Sequence, residues 1–324
     1  MRALYLEEGQ LTLHDDYPRP GVGADDALIR VTLAGICSTD LELVKGYAGG
    51  FRGVLGHEFV GVVEAVGLAD ATEWIGRRVV GSINLGCRRC AVCLGEGPEH
   101  CPNRTTLGIH NKDGVFADYV TLPVANLLSV PDNVADEEAV FTEPLAAALR
   151  IREQIAVRPS ARAAVVGPGR LGLLVAQVLA LAGTEVTVLG RRAESLALPQ
   201  QLGLATALVD EEKDDSFDLV VEATGNDAGF AHSLRLVRPR GTLVLKSTFA
   251  GQAHINLTKL VVSEITVVGS RCGPFAPALR LLASGAVQVR PLIEAEYPLA
   301  DGLAAFEHAA RPGVRKVLLR PDGS

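Results

Sequence analysis

Residues 161–183, ARAAVVGPGRLGLLVAQVLALAG, pass from a short apolar stretch into the turn Gly167-Pro168-Gly169-Arg170-Leu171-Gly172, then into an apolar segment of helical length. Strand, tight turn and helix in that order are the context in which G-x-G-x-x-G marks a dinucleotide site. Gly167 permits the turn, Gly169 lets backbone approach a pyrophosphate, and Gly172 allows helix and strand to pack closely. The helix start at Arg170 and Leu171 offers N–H groups and a dipole to the anion. EVTVLG (185–190), TALVD (206–210), FDLVVEATG (217–225) and GTLVLKS (241–247) follow, separated by helix-length segments, which predicts an α/β unit built on a doubly wound parallel sheet. Lys246 and Ser247 close the last of these stretches, at the carboxyl edge where the nicotinamide half of a cofactor would lie, and are candidates for cofactor contact.

The choice of dinucleotide turns on the end of the second strand, where an acidic residue would hydrogen-bond the adenosine ribose of NAD. Gly190, Arg191 and Arg192 stand there instead. A small residue followed by two guanidiniums gives room and countercharge to a 2'-phosphate. NADP is therefore expected ahead of NAD, the plainer alternative being two solvated arginines at a helix start.

A second segment, NLGCRRCAVCLGEGPEHCP (84–102), places Cys87, Cys90, Cys93 and Cys101 in the pattern C-x2-C-x2-C-x7-C. In a reducing compartment clustered thiols hold metal rather than form disulfides. Four thiolates close a tetrahedral shell around Zn2+ and leave no position for substrate, so a structural zinc is expected in a lobe at about 84–105. An iron–sulfur run is the alternative, but its last gap is three residues rather than seven.

The chain has 324 residues, more than one core usually organises, so two domains are expected. Hydrophobic residues make up 48% and charged residues 21%, the balance of a globular protein with a sizeable core. The formal charge of -7 comes without a long basic cluster, so a nucleic-acid surface has no footprint and small molecules are the expected partners. No stretch approaches the roughly 20 apolar residues of a membrane span. The acidic start MRALYLEEGQ does not resemble a secretory signal, and a cytoplasmic location is expected.

Two cysteines lie outside the cluster, and Cys37 in AGICSTDLELVKG is the informative one. LGHEFVGVVEAVG supplies His57 and Glu58, and FTEPLAAAL supplies Glu143. Cysteine, histidine and carboxylate make a mixed zinc shell of the open, catalytic kind.

With GICSTD, GHEFVG, EPLA, the four-cysteine lobe and the glycine turn in this order, the chain resembles the zinc-dependent medium-chain alcohol dehydrogenases over nearly its whole length, within their polyol, threonine and sugar dehydrogenase branch. The resemblance implies a GroES-like, β-rich catalytic domain from residues 1–130 and 272–324 around a Rossmann domain at 131–271. It implies a catalytic zinc at Cys37, His57, Glu58 and Glu143, with the direct carboxylate ligand left open between the two glutamates. It also implies a proton relay starting at Thr39. Many relatives finish that relay with a histidine five residues after the cysteine, where this chain has Glu42. Glu42 either accepts the proton or is solvated on a helix face. The implied assembly is a homodimer or homotetramer. The implied reaction passes a hydride between a polyol, sugar or secondary alcohol and the nicotinamide. A zinc-independent enone or quinone reductase and a non-catalytic dinucleotide-binding protein are the competing readings.

Overall fold

A computed structural model describes residues 1–47, 50–248 and 254–321. They fall into two compact units, Met1–Glu143 with Leu292–Ser324, and Pro144–Pro291.

In the second unit the apolar runs form one six-stranded sheet in the order Ala205–Leu208, Glu185–Gly190, Arg162–Val166, Phe217–Glu222, Val237–Leu245, Thr266–Gly269. Every pairing is parallel. A parallel sheet is covered on both faces, which is why its strands are nearly continuous in apolar residues rather than alternating. Ala164, Val166, Leu189, Val220 and Leu243 pack with Phe217 and Phe230 in the core. The helix Arg170–Ala180 buries Leu173, Leu174, Val175, Val178 and Leu179. The strand order reverses between Arg162–Val166 and Phe217–Glu222, and at such a switch point loops diverge to leave a crevice at the carboxyl ends.

The first unit is built on a seven-stranded sheet. Its main path runs Leu127–Ser129, Arg78–Gly81, Glu58–Val66, Asp26–Gly35, Lys316–Arg320, Ile293–Pro298, and Tyr119–Pro123 also pairs with Asp26–Gly35. A smaller sheet joins Gln10–His14, Ala3–Glu7 and Gly53–Val54. The cysteine-rich lobe leaves through the short pair Asn84–Leu85 and Thr105–Thr106.

The units part at 143/144 and 291/292 rather than near 130 and 272. Packing supplies the reason: beyond the last parallel strand, the helix Phe275–Ala283 still buries Phe275, Ala278, Leu279 and Leu282. Gln177 also grips the backbone of Gln288, donating to its carbonyl at 3.1 Å and accepting from its N–H at 2.7 Å. Among the described residues no helix is long and apolar enough to cross a membrane.

Candidate functional site

In the first unit, ligand atoms of Cys37, His57 and Glu58 lie within 4.8 Å of one another. The strand Asp26–Gly35 ends just before Cys37, which precedes the helix Ser38–Val44, and the strand paired with it begins at Glu58. Strand pairing thus brings together residues twenty positions apart. Asp40, fully buried, accepts the Cys37 N–H at 2.8 Å through Oδ2, while its Oδ1 stands 3.2 Å from His57 Nδ1. One carboxylate therefore fixes the cysteine's backbone and faces the imidazole, the arrangement by which a second carboxylate orients a metal-binding histidine. Burial disfavours the imidazolium of His57, but Asp40, helped by Cys37, outweighs it and holds the ring's proton affinity well above the ordinary value. A metal arriving here has to displace a proton, so its binding releases acid.

Glu58 is 1% exposed and divides its two oxygens. Oε2 accepts from the ammonium of Lys316, itself 2% exposed, which also donates to the Ile36 carbonyl at 3.3 Å and lies 5.7 Å from the centre of the Phe141 ring. Gly35 makes the room, because a Cβ there would stand 2.6 Å from Glu58 Oε2 and 3.3 Å from Lys316 Cδ. Glu58 Oε1 is buried and finds no hydrogen-bond partner among the described residues. An orphaned carboxylate oxygen beside a thiol and an imidazole is costly unless a cation satisfies it, and sulfur, nitrogen and oxygen donors fit zinc. Glu143 stands in the first turn of the helix Thr142–Gln154 and is not one of the three converging residues. Thr39 Oγ1 borders the group, 3.8 Å from Cys37 Sγ. Glu42, one turn along the helix, pairs with Lys45 at 2.7 Å with 26% of its side chain exposed.

In the lobe, the sulfurs of Cys87, Cys90, Cys93 and Cys101 also converge within 4.8 Å. Backbone N–H groups at Arg89 and Cys90 hold the Cys87 thiol down to about 6, whereas burial pushes Cys93 up to about 12. The N–H of Cys87 lowers Cys101. Four thiols this close share protons unevenly, and a divalent cation with four sulfur ligands removes that conflict. Cys101→Ser is expected to release the lobe's zinc and expose residues 84–105 to protease, because the lobe's short helix Ala91–Gly95 buries no residue. Elemental analysis with limited proteolysis checks this, and an unchanged metal content and cleavage pattern would refute the structural staple.

In the second unit, Gly167 adopts φ +111° and the helix begins at Arg170 with Gly169 as its N-cap. A Cβ on Gly172 would lie 1.9 Å from the Gly167 carbonyl, so only glycine closes this turn. Leu171 follows Arg170 in the first turn. Gly190 ends the second strand beside Ser195 and Leu196, and Arg191 and Arg192 are exposed next to it. Lys246, 7% exposed, donates to Ser270 Oγ at 3.1 Å and to the Arg271 carbonyl at 2.7 Å, so it braces backbone. Ser247 donates to Glu222, whose carboxylate also receives Thr224 and Gly225.

Sequence reasoning passed over Asp40, Lys316 and Glu222. Asp40 carried a faint local signal, an acid three residues after a ligand cysteine before a helical run. Lys316 carried none, since 258 positions separate it from Glu58. Glu222 showed only as a carboxylate ending an apolar strand.

Comparison with known proteins follows the same lines. The model for the alcohol dehydrogenase GroES-like domain matches residues 23–132, and that for zinc-binding dehydrogenase matches residues 171–284. Sorbitol dehydrogenase of Halalkalibacterium halodurans is 30% identical over 324 residues, 94% of this chain and 94% of its own. A Sinorhizobium meliloti 1021 protein described as a zinc-binding dehydrogenase, with NADP bound, superimposes with a TM-score of 0.90 at 29% identity, covering 99% of each chain. An Escherichia coli CFT073 alcohol dehydrogenase complexed with NADH gives a TM-score of 0.90 at 26% identity, again over 99% of each.

Proposed function

The chain belongs to the zinc-dependent medium-chain alcohol dehydrogenase family, and on that premise we propose that it oxidises a polyol, sugar or secondary alcohol with NADP as preferred hydride acceptor. The observation that carries the reading is the convergence of Cys37, His57 and Glu58 with one glutamate oxygen left uncommitted, in a chain that also folds a dinucleotide turn. A reductase working without metal has no use for that buried donor set.

Cys37, His57 and Glu58 would hold a zinc ion in this reading, with Glu143 the alternative carboxylate. When bound, the ion supplies Lewis acidity that eases loss of the alcohol's proton at neutral pH. A nicotinamide bound at the glycine turn would supply the hydride acceptor. Asp40 keeps the histidine ring in place, and Lys316 keeps Glu58 from turning both oxygens to the metal. Thr39 Oγ1 takes the alcohol's proton as it gives up its own hydroxyl proton to the relay. Glu42, three residues on along the same helix and in contact with water, passes it out. Gly167, Gly169, Arg170, Leu171 and Gly172 cradle the pyrophosphate. Lys246 and Ser247 shape the nicotinamide end through the backbone they hold. A homodimer or homotetramer belongs to the same reading: Leu257, Val261 and Val262, in the helix that precedes the edge strand Thr266–Gly269, are exposed, as is Val267 on that strand, and an apolar sheet edge calls for a cover.

The direct test is zinc content per chain on protein purified without chelator, followed by an NADP-linked screen of polyols, aldoses and secondary alcohols. Two zincs and turnover on one of these classes support the reading. One zinc after supplementation would restore the metal-free alternatives. Arg191→Ala is expected to weaken NADP by about 1–3 kcal/mol, the loss of a charge-assisted hydrogen bond, and to leave NAD unaffected. Kd values for the two cofactors decide it, and equal losses would remove Arg191 from the 2'-phosphate site.

A further inference from the structure

Glu222 closes the strand Phe217–Glu222, on one flank of the point where the strand order reverses, and is only 3% exposed. A carboxylate so buried is costly unless hydrogen bonds compensate it fully. Here they do. Oε1 accepts from Thr224 N at 2.6 Å, Thr224 Oγ1 at 2.6 Å and Gly225 N at 3.1 Å, and Oε2 accepts the Ser247 hydroxyl. Ser247 Oγ accepts in turn from Gly225 N at 2.9 Å, closing a ring between the loops after two neighbouring strands. Lys246 extends the bracing to the next strand through Ser270 and Arg271.

Both oxygens of Glu222 are consumed by the chain's own donors, so its task is to hold rather than to bind. What it holds is specific. In a doubly wound sheet of this order, the half starting at Arg162–Val166 carries the adenosine portion of a dinucleotide and the half starting at Phe217–Glu222 carries the nicotinamide portion. The braced loops belong to the second half alone.

We propose that Glu222 is a positioning residue for the nicotinamide half of the cofactor, fixing Thr224, Gly225 and Ser247 in their bound arrangement before the cofactor arrives. This rests on the dinucleotide reading above. Rigidity installed in advance lowers the ordering cost of binding, so its loss falls on affinity for whatever those loops touch.

The test compares NADP with adenosine 2',5'-bisphosphate, which carries only the adenosine portion, by titration calorimetry on the zinc-loaded enzyme. Glu222→Gln keeps the shape but replaces one acceptor with a donor facing donors. It is expected to raise the Kd of NADP about ten-fold or more, while the bisphosphate stays within about two-fold. KM for NADP should rise more than kcat falls. Ser247→Ala, which removes one donor to Glu222 and the hydroxyl that accepts the Gly225 N–H but leaves every bond to Glu222 Oε1, should show the same split on a smaller scale and serves if the first variant does not fold. Equal losses for both ligands, or none for either, would overturn the proposal. A parent enzyme that binds neither ligand would instead overturn the dinucleotide reading beneath it.

Discussion

Alcohol oxidation by the Cys37→Ser variant is expected to fall about a thousand-fold or more, with zinc dropping by one per chain. Serine preserves the backbone N–H that Asp40 accepts, so the carboxylate stays beside His57 and the local fold survives. What is lost is the thiolate, the strongest zinc donor of the three converging residues. Dinucleotide affinity should hold within about three-fold, since the glycine turn lies in the other unit and the lost term is transition-state stabilisation. Zinc analysis, steady-state kinetics and NADPH titration on one preparation separate the effects. Unchanged turnover would refute the catalytic-metal assignment, and joint loss of turnover and cofactor binding would point to misfolding.

Lys316→Met is expected to destabilise the protein by about 3–5 kcal/mol, the usual consequence of leaving a buried charge without its partner. Methionine retains much of the apolar stem that runs beside Gly35, so the change isolates the ammonium. Glu58 then keeps a buried carboxylate with neither oxygen hydrogen-bonded to a described residue. Adding Glu58→Gln should recover most of the loss, because a neutral amide is far cheaper to bury. Denaturant unfolding of the parent, the single variant and the double variant at matched zinc content measures the coupling. A single variant within about 1 kcal/mol of the parent would show that water reaches the pair.

The sheet of the second unit was legible because its signals are local. EVTVLG at 185–190 is the observed second strand residue for residue, and the glycine turn falls where its spacing placed it. Both cysteine-containing donor groups were likewise written in short motifs. Partners joined only by strand pairing were hidden, as with Lys316, which reaches Glu58 because Lys316–Arg320 pairs with the end of Asp26–Gly35. The joints were hidden for the same reason: nothing in GSRCGPFAPALRLL (269–282) shows that its helix packs with the residues before it.

The first unit takes its polypeptide from either side of the second, Met1–Glu143 and then Leu292–Ser324. On a ribosome these pieces emerge in that order, with the whole of Pro144–Pro291 between them. The nucleotide-binding unit has all of its own strands while its neighbour still lacks two of seven. Until Lys316 emerges, Glu58 has no ammonium beside it. The middle of the chain can therefore be folded before the beginning is. Nascent protein passes through an interval in which Cys37 and His57 are already made but the sheet that seats them is open, and chaperones or early zinc capture would act in that interval.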